Sequence, residues 1–226
     1  TRLTILPGLE QYPSLSPDSK SLVFSSGGDI FFQRVGGKNP INLTKDSVAG
    51  NTQPSLSPEG DRIAFRSNRD GGGLFVMGAT GESLKRLTDF GYHPAWAPDG
   101  KQIVCSTATM VGPANRASSD SQLWVVEVPS GQKRRLQTPG DAIQPHWSSS
   151  GRRIAYWSVG AGGRRVIFTI PAAGGEPVPV IQDDHINWNP VWSPDGRYLY
   201  YGSDRSGSMN LWRVPIDEAS GRLLGP

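Results

Sequence analysis

The sequence predicts an all-β protein, a β-propeller of four-stranded antiparallel blades, and three observations carry that prediction. One short pattern, Pro-x-Trp/Leu followed by Ser (Ala in the third copy) and a tight turn, occurs five times, at Pro13, Pro54, Pro94, Pro145 and Pro190. These anchors are 41, 40, 51 and 45 residues apart, and a period in the forties is the length of a four-stranded blade. Glycine (28 residues) and proline (19) are abundant while charged residues make up 19%, which suits many short strands joined by turns.

Within a repeat the elements follow one order. A short first strand at the Pro-x-Trp/Leu-Ser anchor ends in a Pro-Asp-Gly turn, as at Pro194-Asp195-Gly196, and an alternating second strand follows, such as Arg62 to Ser67 or Arg153 to Ser158. A polar turn, Ser67 to Gly71 or Ser203 to Gly207, leads into a third strand such as Gly73 to Met77, Gln122 to Val126 or Asn210 to Val214. A Gly-rich turn then gives a polar fourth strand, seen at Leu84 to Thr88 and Arg134 to Thr138, as expected of a solvated outer edge. The fourth repeat departs from this, with Ser149-Ser150-Gly151 at the turn, and predicts a looser blade. Residues 1 to 6 read as a fourth strand with no preceding partners, so the N-terminal strand is expected to close the last blade and residues 1–226 to form a single domain.

Bulk chemistry narrows the function. A chain of 226 residues buries a sizeable core without staples, and Cys105, alone in an apolar run, reads as a buried strand position. Net charge is +3, but the basic residues come as scattered pairs such as Lys85-Arg86 and Arg164-Arg165, so nucleic acid is not an expected partner. No run of 18 apolar residues and no charged-plus-apolar leader is present, so neither a membrane span nor a signal peptide is expected.

The motifs Pro-x-Trp-Ser-Pro-Asp-Gly (Pro190 to Gly196), Ser-Asp-Arg (Ser203 to Arg205) and Leu-Trp-x-Val (Leu211 to Val214) resemble the TolB-like, WD-repeat-like propeller family over nearly the whole chain. The resemblance implies the propeller fold and, as a family habit, a bacterial protein outside the cytoplasm, periplasmic or otherwise extracytoplasmic. It does not by itself imply a function. Resembling families often have six or more blades, so five repeats fit either a complete ring or part of a longer chain.

No nucleophile elbow, zinc-protease helix motif, phosphate loop or EF-hand loop occurs, so no catalytic residue, metal ligand or cofactor is expected. His93, His146 and His185 lack ligand spacing and read first as strand-entry residues. The loops before each anchor differ between repeats, as functional loops on a rigid scaffold do, and they supply the candidate ligand-binding residues Tyr12, Gln53, Tyr92, His93, Gln144, Asp183, Asp184, His185, Trp188 and Asn189. Glu10, Asp89 and Asp141 join Asp183 and Asp184 in an acidic rim suited to a cationic, peptide or cation ligand. The long connection from Thr107 to Asp120, with Met110, Val111, Pro113 and Arg116, reads as a lid, a partner contact or a disordered loop.

The leading expectation is a non-catalytic binding module, a monomer that recognises a protein or peptide partner or a small ligand at the channel mouth. The alternative is the substrate-gating propeller of a prolyl-oligopeptidase-like or tricorn-like peptidase whose catalytic domain is absent here. A third reading is a lyase or hydrolase using His93 or His185 with rim carboxylates as acid and base.

Overall fold

The computed structural model describes residues 3–109, 112–117 and 119–225. Thr1 and Arg2 of the expected N-terminal strand, and Met110 and Val111 of the long loop, lie outside them. The protein is an all-β propeller of five four-stranded antiparallel sheets, each with its strands in chain order. The chain forms two compact units, 1–96 and 97–226.

The first unit holds β1 (Glu10–Leu15), β2 (Ser21–Ser26), β3 (Asp29–Arg34) and β4 (Ile41–Asn42), then β5 (Asn51–Leu56), β6 (Arg62–Ser67), β7 (Gly73–Gly78) and β8 (Lys85–Arg86), and ends with β9 (Tyr92–Trp96). Its core includes Val23, Ile30, Leu56, Ile63, Phe65 and Phe75, all buried. The second unit holds β10 (Gln102–Ser106), β11 (Leu123–Glu127) and β12 (Lys133–Arg135), and then two whole sheets. These are β13 (Ile143–Trp147), β14 (Arg153–Val159), β15 (Arg165–Pro171) and β16 (Val178–Ile181), and β17 (Asn187–Trp192), β18 (Tyr198–Ser203), β19 (Asn210–Asp217) and β20 (Arg222–Leu223). Its core joins Ile143, Trp157 and Ile167 to Trp192, Leu199 and Tyr201.

The first-strand anchor works through a bulge. Asn187 and Trp192 are five apart and would face opposite ways on a regular strand. The register of β17 slips by one residue between Trp188 and Val191, so Asn187 pairs with Ser203 and Trp192 with Leu199, four apart on β18 and therefore on one face. The same slip occurs between Gln11 and Ser14, Thr52 and Ser55, and Ile143 and His146. It brings the Leu or Trp of each anchor to a common register position.

The Ser-Pro-Asp-Gly turn is closed by the serine. Ser193 Oγ donates to Asp195 (2.5 Å) and accepts from the Tyr198 amide (2.9 Å). The fourth repeat, expected to be looser for want of that aspartate, keeps the serine bond, with the Arg153 amide donating to Ser148 Oγ at 3.0 Å. Glu218 supplies the missing carboxylate, accepting from the Ser150 amide (2.9 Å) and hydroxyl (2.5 Å). Every residue of β14 is buried.

The expected closure by an N-terminal strand is corrected. Residues 3–9 form no strand, and the last sheet takes its fourth strand, β20, from its own repeat. Gly221, at φ +71°, lets the chain reverse tightly after β19, its amide bonding to Asp217 O at 2.7 Å. Glu10 meanwhile accepts from the Thr4 hydroxyl (2.7 Å) and the Leu6 amide (3.0 Å), holding that segment locally.

Candidate functional site

Directly before each anchor proline one residue lies in the left-handed region, at the bulge in the four first strands described above: Tyr12 (φ +52°), Gln53 (+55°) and His93 (+52°) in the first unit, Gln144 (+48°) and Asn189 (+50°) in the second. A residue before proline ordinarily prefers extended backbone, and a non-glycine residue at positive φ is strained. All five were singled out from the sequence for variable side chains; their common backbone was not.

In the first unit these residues meet. The Tyr12 and His93 rings pack edge to face with centroids 6.0 Å apart. Gln53 is 4% exposed; its Oε1 accepts from the His93 amide at 2.8 Å, and its Nε2 lies 3.4 Å from His93 Nε2. That amide donor leaves His93 Nε2 as acceptor and places the ring proton on Nδ1. Tyr92 lies beside them, its ring 4.9 Å beneath the Arg66 guanidinium. The patch offers aromatic and imidazole faces with a nearby cation, and the buried Gln53 amide holds His93 in place.

In the second unit the candidates separate by role. Gln144 is 8% exposed and fixes the core, accepting from Trp157 Nε1 at 2.7 Å. Asp183 is committed to the loop: it accepts from the His185 amide (3.1 Å), Asn187 Nδ2 (2.6 Å) and Arg205 Nη2 (2.5 Å). Asn189 and Asp184 are exposed, and Asp184 pairs with Arg164 at 2.8 Å. The Trp188 indole lies over Gly202 and donates to Met209 Sδ at 3.2 Å. His185 Nδ1 is 3.5 Å from Asp204 Oδ1, longer than acid–base chemistry uses, and that oxygen already accepts from the Ile186 amide at 2.8 Å.

Two open cavities of about 640 and 680 Å³ flank the Gly162-Gly163 turn. Arg164, Asp184 and His185 line the first, Arg116 and Gly140 the second, and Arg165 both. Arg164 and Arg165 were not among the candidate ligand-binding residues, although the Arg164-Arg165 pair and the irregular fourth repeat were visible; Arg116 was noted only as part of the long loop. Arg165 reaches across to the long loop, donating to Pro113 O (2.9 Å), Ala114 O (3.0 Å) and Arg116 O (3.0 Å). Arg116 in turn makes a two-pronged pair with Asp141, Nε at 2.8 Å and Nη2 at 2.5 Å. Asp141 is thereby buried rather than part of an acidic rim, and the described residues of the loop are fastened rather than disordered. Among the described residues, no group of three or more His, Cys, Asp or Glu could hold a metal ion.

His146 is half-buried. Its Nδ1 lies 2.9 Å from Trp147 O and 3.3 Å from the Trp192 amide. One nitrogen cannot serve both, and the shorter contact assigns it a proton donated to the carbonyl. Burial pushes its pKa down to about 4, partly offset by that bond.

Similar proteins fit this architecture. An uncharacterized protein of Agrobacterium fabrum is 25% identical over 221 residues, covering 95% of this chain and 57% of its own length. The protein TolB homolog of Chlorobium chlorochromatii is 28% identical over 197 residues, covering 83% of this chain and 42% of its own. This chain therefore spans between two-fifths and three-fifths of those relatives. A TolB structure from Agrobacterium tumefaciens superposes with a TM-score of 0.79 at 20% identity, over 94% of this chain and 79% of that one. The fold also occurs with enzymes: an uncharacterized peptidase of Bacillus subtilis is 24% identical over 74% of this chain and 27% of its own length. A manganese-bound oligogalacturonate lyase superposes with a TM-score of 0.67 at 13% identity, over 95% of this chain and 68% of that one, a likeness of fold alone. The family model of the TolB beta propeller domain matches residues 109–225, just over half of the sequence, and the chain belongs to that family.

Proposed function

We propose that the chain is a non-catalytic binding module that recognises a protein or peptide partner through its bulge residues and the loops beside them. One observation carries the reading. Five repeats hold the residue before the anchor proline in the same left-handed conformation, while its side chain is Tyr, Gln, His, Gln or Asn. A constant, strained backbone bearing varied polar and aromatic side chains is how a rigid scaffold displays a recognition surface. On this reading Tyr12, Tyr92 and His93 form the contact surface of the first unit, with Gln53 positioning His93. Asn189, Trp188, Asp184 and His185 serve the second unit, where Gln144 and Asp183 hold the backbone. A periplasmic or otherwise extracytoplasmic setting accompanies the reading, by analogy with the TolB homolog.

Panning a random-peptide library against the 226-residue chain tests it. Recovered peptides should bind the His93→Ala or Asn189→Ala variant at least about tenfold more weakly, a loss of about 1.4 kcal/mol, and bind Leu84→Ser unchanged. Absence of enrichment, or peptides indifferent to both rim variants, would sink the proposal.

A second reading, a substrate-gating propeller of a peptidase, draws on the similarity to the Bacillus subtilis peptidase. Gating requires passage rather than retention, so it predicts that the same panning yields no tight ligand.

A further inference from the structure

The turns after β6 and β18 each carry an arginine that reaches back to residues at or just before the start of its own sheet's first strand. Arg69 donates to Ser47 Oγ (3.0 Å) and Asn51 Oδ1 (3.1 Å), and Arg205 donates to Asp183 (2.5 Å). The turn after β14 reads Gly160-Ala161-Gly162-Gly163 and has no arginine. A cavity opens on each side of it, and Gly162 and Gly163 belong to both walls. Gly162 stands at φ +69° with open space where a Cβ would be, so the backbone there is accessible to a bound group.

Positive charge is left over at the first of these cavities. Asp141 is paired with Arg116, and Asp183 with Arg205. The cavity wall carries two guanidiniums, Arg164 and Arg165, against one carboxylate, Asp184. Arg165 donates only to main-chain carbonyls, those of Pro113, Gly163, Ala114 and Arg116, and among the described residues it meets no carboxylate. Its position is fixed while its charge is not neutralised. Arg164 meets Asp184 through Nε alone, at 2.8 Å, and the two side chains are 58% and 81% exposed. A pair so open to water contributes little and exchanges partners readily. His185 completes the wall, and Asp204, 3.5 Å from its Nδ1, is not part of it.

We propose that this cavity takes a carboxylate-bearing residue of a peptide, gripped by the Arg164 guanidinium in the field of Arg165, and that Asp184 is the stand-in the ligand displaces. The proposal rests on the reading of the chain as a peptide-binding module and names the residue that one subsite selects. A wall with one positive charge in excess calls for a single negative charge, and the planar guanidinium fork matches a planar carboxylate. The cavity of about 640 Å³ has room for the residue that bears it. The acidic rim read from the sequence as a seat for a cation is here, through its arginines, a seat for an anion.

Titration of the 226-residue chain with small probes, followed by NMR at the Gly162 and Gly163 amides and at Arg164 Nε–H, tests it. N-acetylglutamate α-amide carries a side-chain carboxylate only, N-acetylglutamine a terminal carboxylate only, and N-acetylglutamine amide neither. A carboxylate probe should move these resonances saturably, the tighter of the two naming the source, while the neutral amide should not. Arg164→Gln should weaken binding at least about tenfold. Asp184→Asn should tighten it about threefold, since the competing carboxylate is gone. Both substitutions are at exposed side chains, and the remaining resonances report whether the fold is kept. No saturable shift with either carboxylate, an equal response to the neutral amide, or weaker binding by Asp184→Asn would overturn the proposal. Peptides recovered by panning that ignore these probes as competitors would leave the wider peptide-binding reading in place without this subsite, whereas failed panning with the shifts present would sink the wider reading alone.

Discussion

Two arginine–aspartate pairs in the second unit do the same job at different depths. Arg116 and Asp141 tie the long loop to the turn before β13, with side chains 4% and 0% exposed. Arg205 and Asp183 tie the turn after β18 to the loop before β17, with side chains 26% and 37% exposed. The buried pair is two-pronged, and water cannot replace either partner. The half-open pair uses one prong, and its guanidinium also rests 5.4 Å from the Tyr201 ring and 5.2 Å from Trp212. Depth, rather than the residue types, decides what each contributes to stability.

The largest effect should come from breaking the buried pair alone. Asp141→Ala strands the Arg116 charge and should cost about 3–5 kcal/mol by urea unfolding, whereas the double change Arg116→Met with Asp141→Leu should cost far less. Equal losses from the two would show that the charges themselves, not their burial, hold the loop.

Next in size is a pH effect at His146, whose pKa falls from 6.5 to about 4 on burial. The unfolded chain takes up this proton near pH 6.5 and the folded chain only near 4. Stability present above pH 6.5 is therefore lost as the pH falls through that window, by about 3 kcal/mol at most. His146→Gln should flatten the unfolding free energy between pH 6.5 and 4, and an unchanged slope would contradict it. The hydroxyls of Ser16, Ser57 and Ser193 hold Asp18, Asp61 and Asp195 below the usual carboxylate range, so these turns add their own loss of stability below about pH 5, and the His146 effect is read between pH 6.5 and about 5.

Asp183→Ala should cost only about 1 kcal/mol, since Arg205 keeps its aromatic contacts and reaches water. Hydrogen exchange should instead quicken at the amide of His185, which Asp183 accepts. The smallest change, Asn189→Gly, should raise stability by roughly 0.5 kcal/mol while removing a contact residue, since glycine adopts positive φ freely. A loss of stability there would mean that the Asn189 side chain, not the backbone, is what the bulge needs.

The five sheets were legible because the anchor repeats with the chain. Pro54, Pro94 and Pro190 mark equivalent strands, and the 51-residue interval located the inserted loop. What pairs across that interval was not legible: Arg116 and Asp141 are 25 residues apart and occupy no repeated position. The same holds for Glu218, which serves a turn 68 residues earlier. The bulge was hidden for a different reason. Local rules place a residue before proline in extended backbone, and only pairing with β2, β6, β14 and β18 imposes the extra residue. Tyr12, Gln53, His93, Gln144 and Asn189 were thus found through their variety, without the conformation that unites them.

That conformation also filters chemistry. A branched β-carbon collides with the backbone at positive φ, so valine, isoleucine and threonine are poor tenants of these five places, and none occurs there. The fold admits at its bulges an alphabet weighted toward amides, imidazole and phenol, side chains whose planar ends form directional bonds. Diversifying Tyr12, His93 and Asn189 within that alphabet, with the buried Gln53 and Gln144 kept, would alter recognition while leaving the frame intact, which makes the repeat a ready scaffold for selecting new binders.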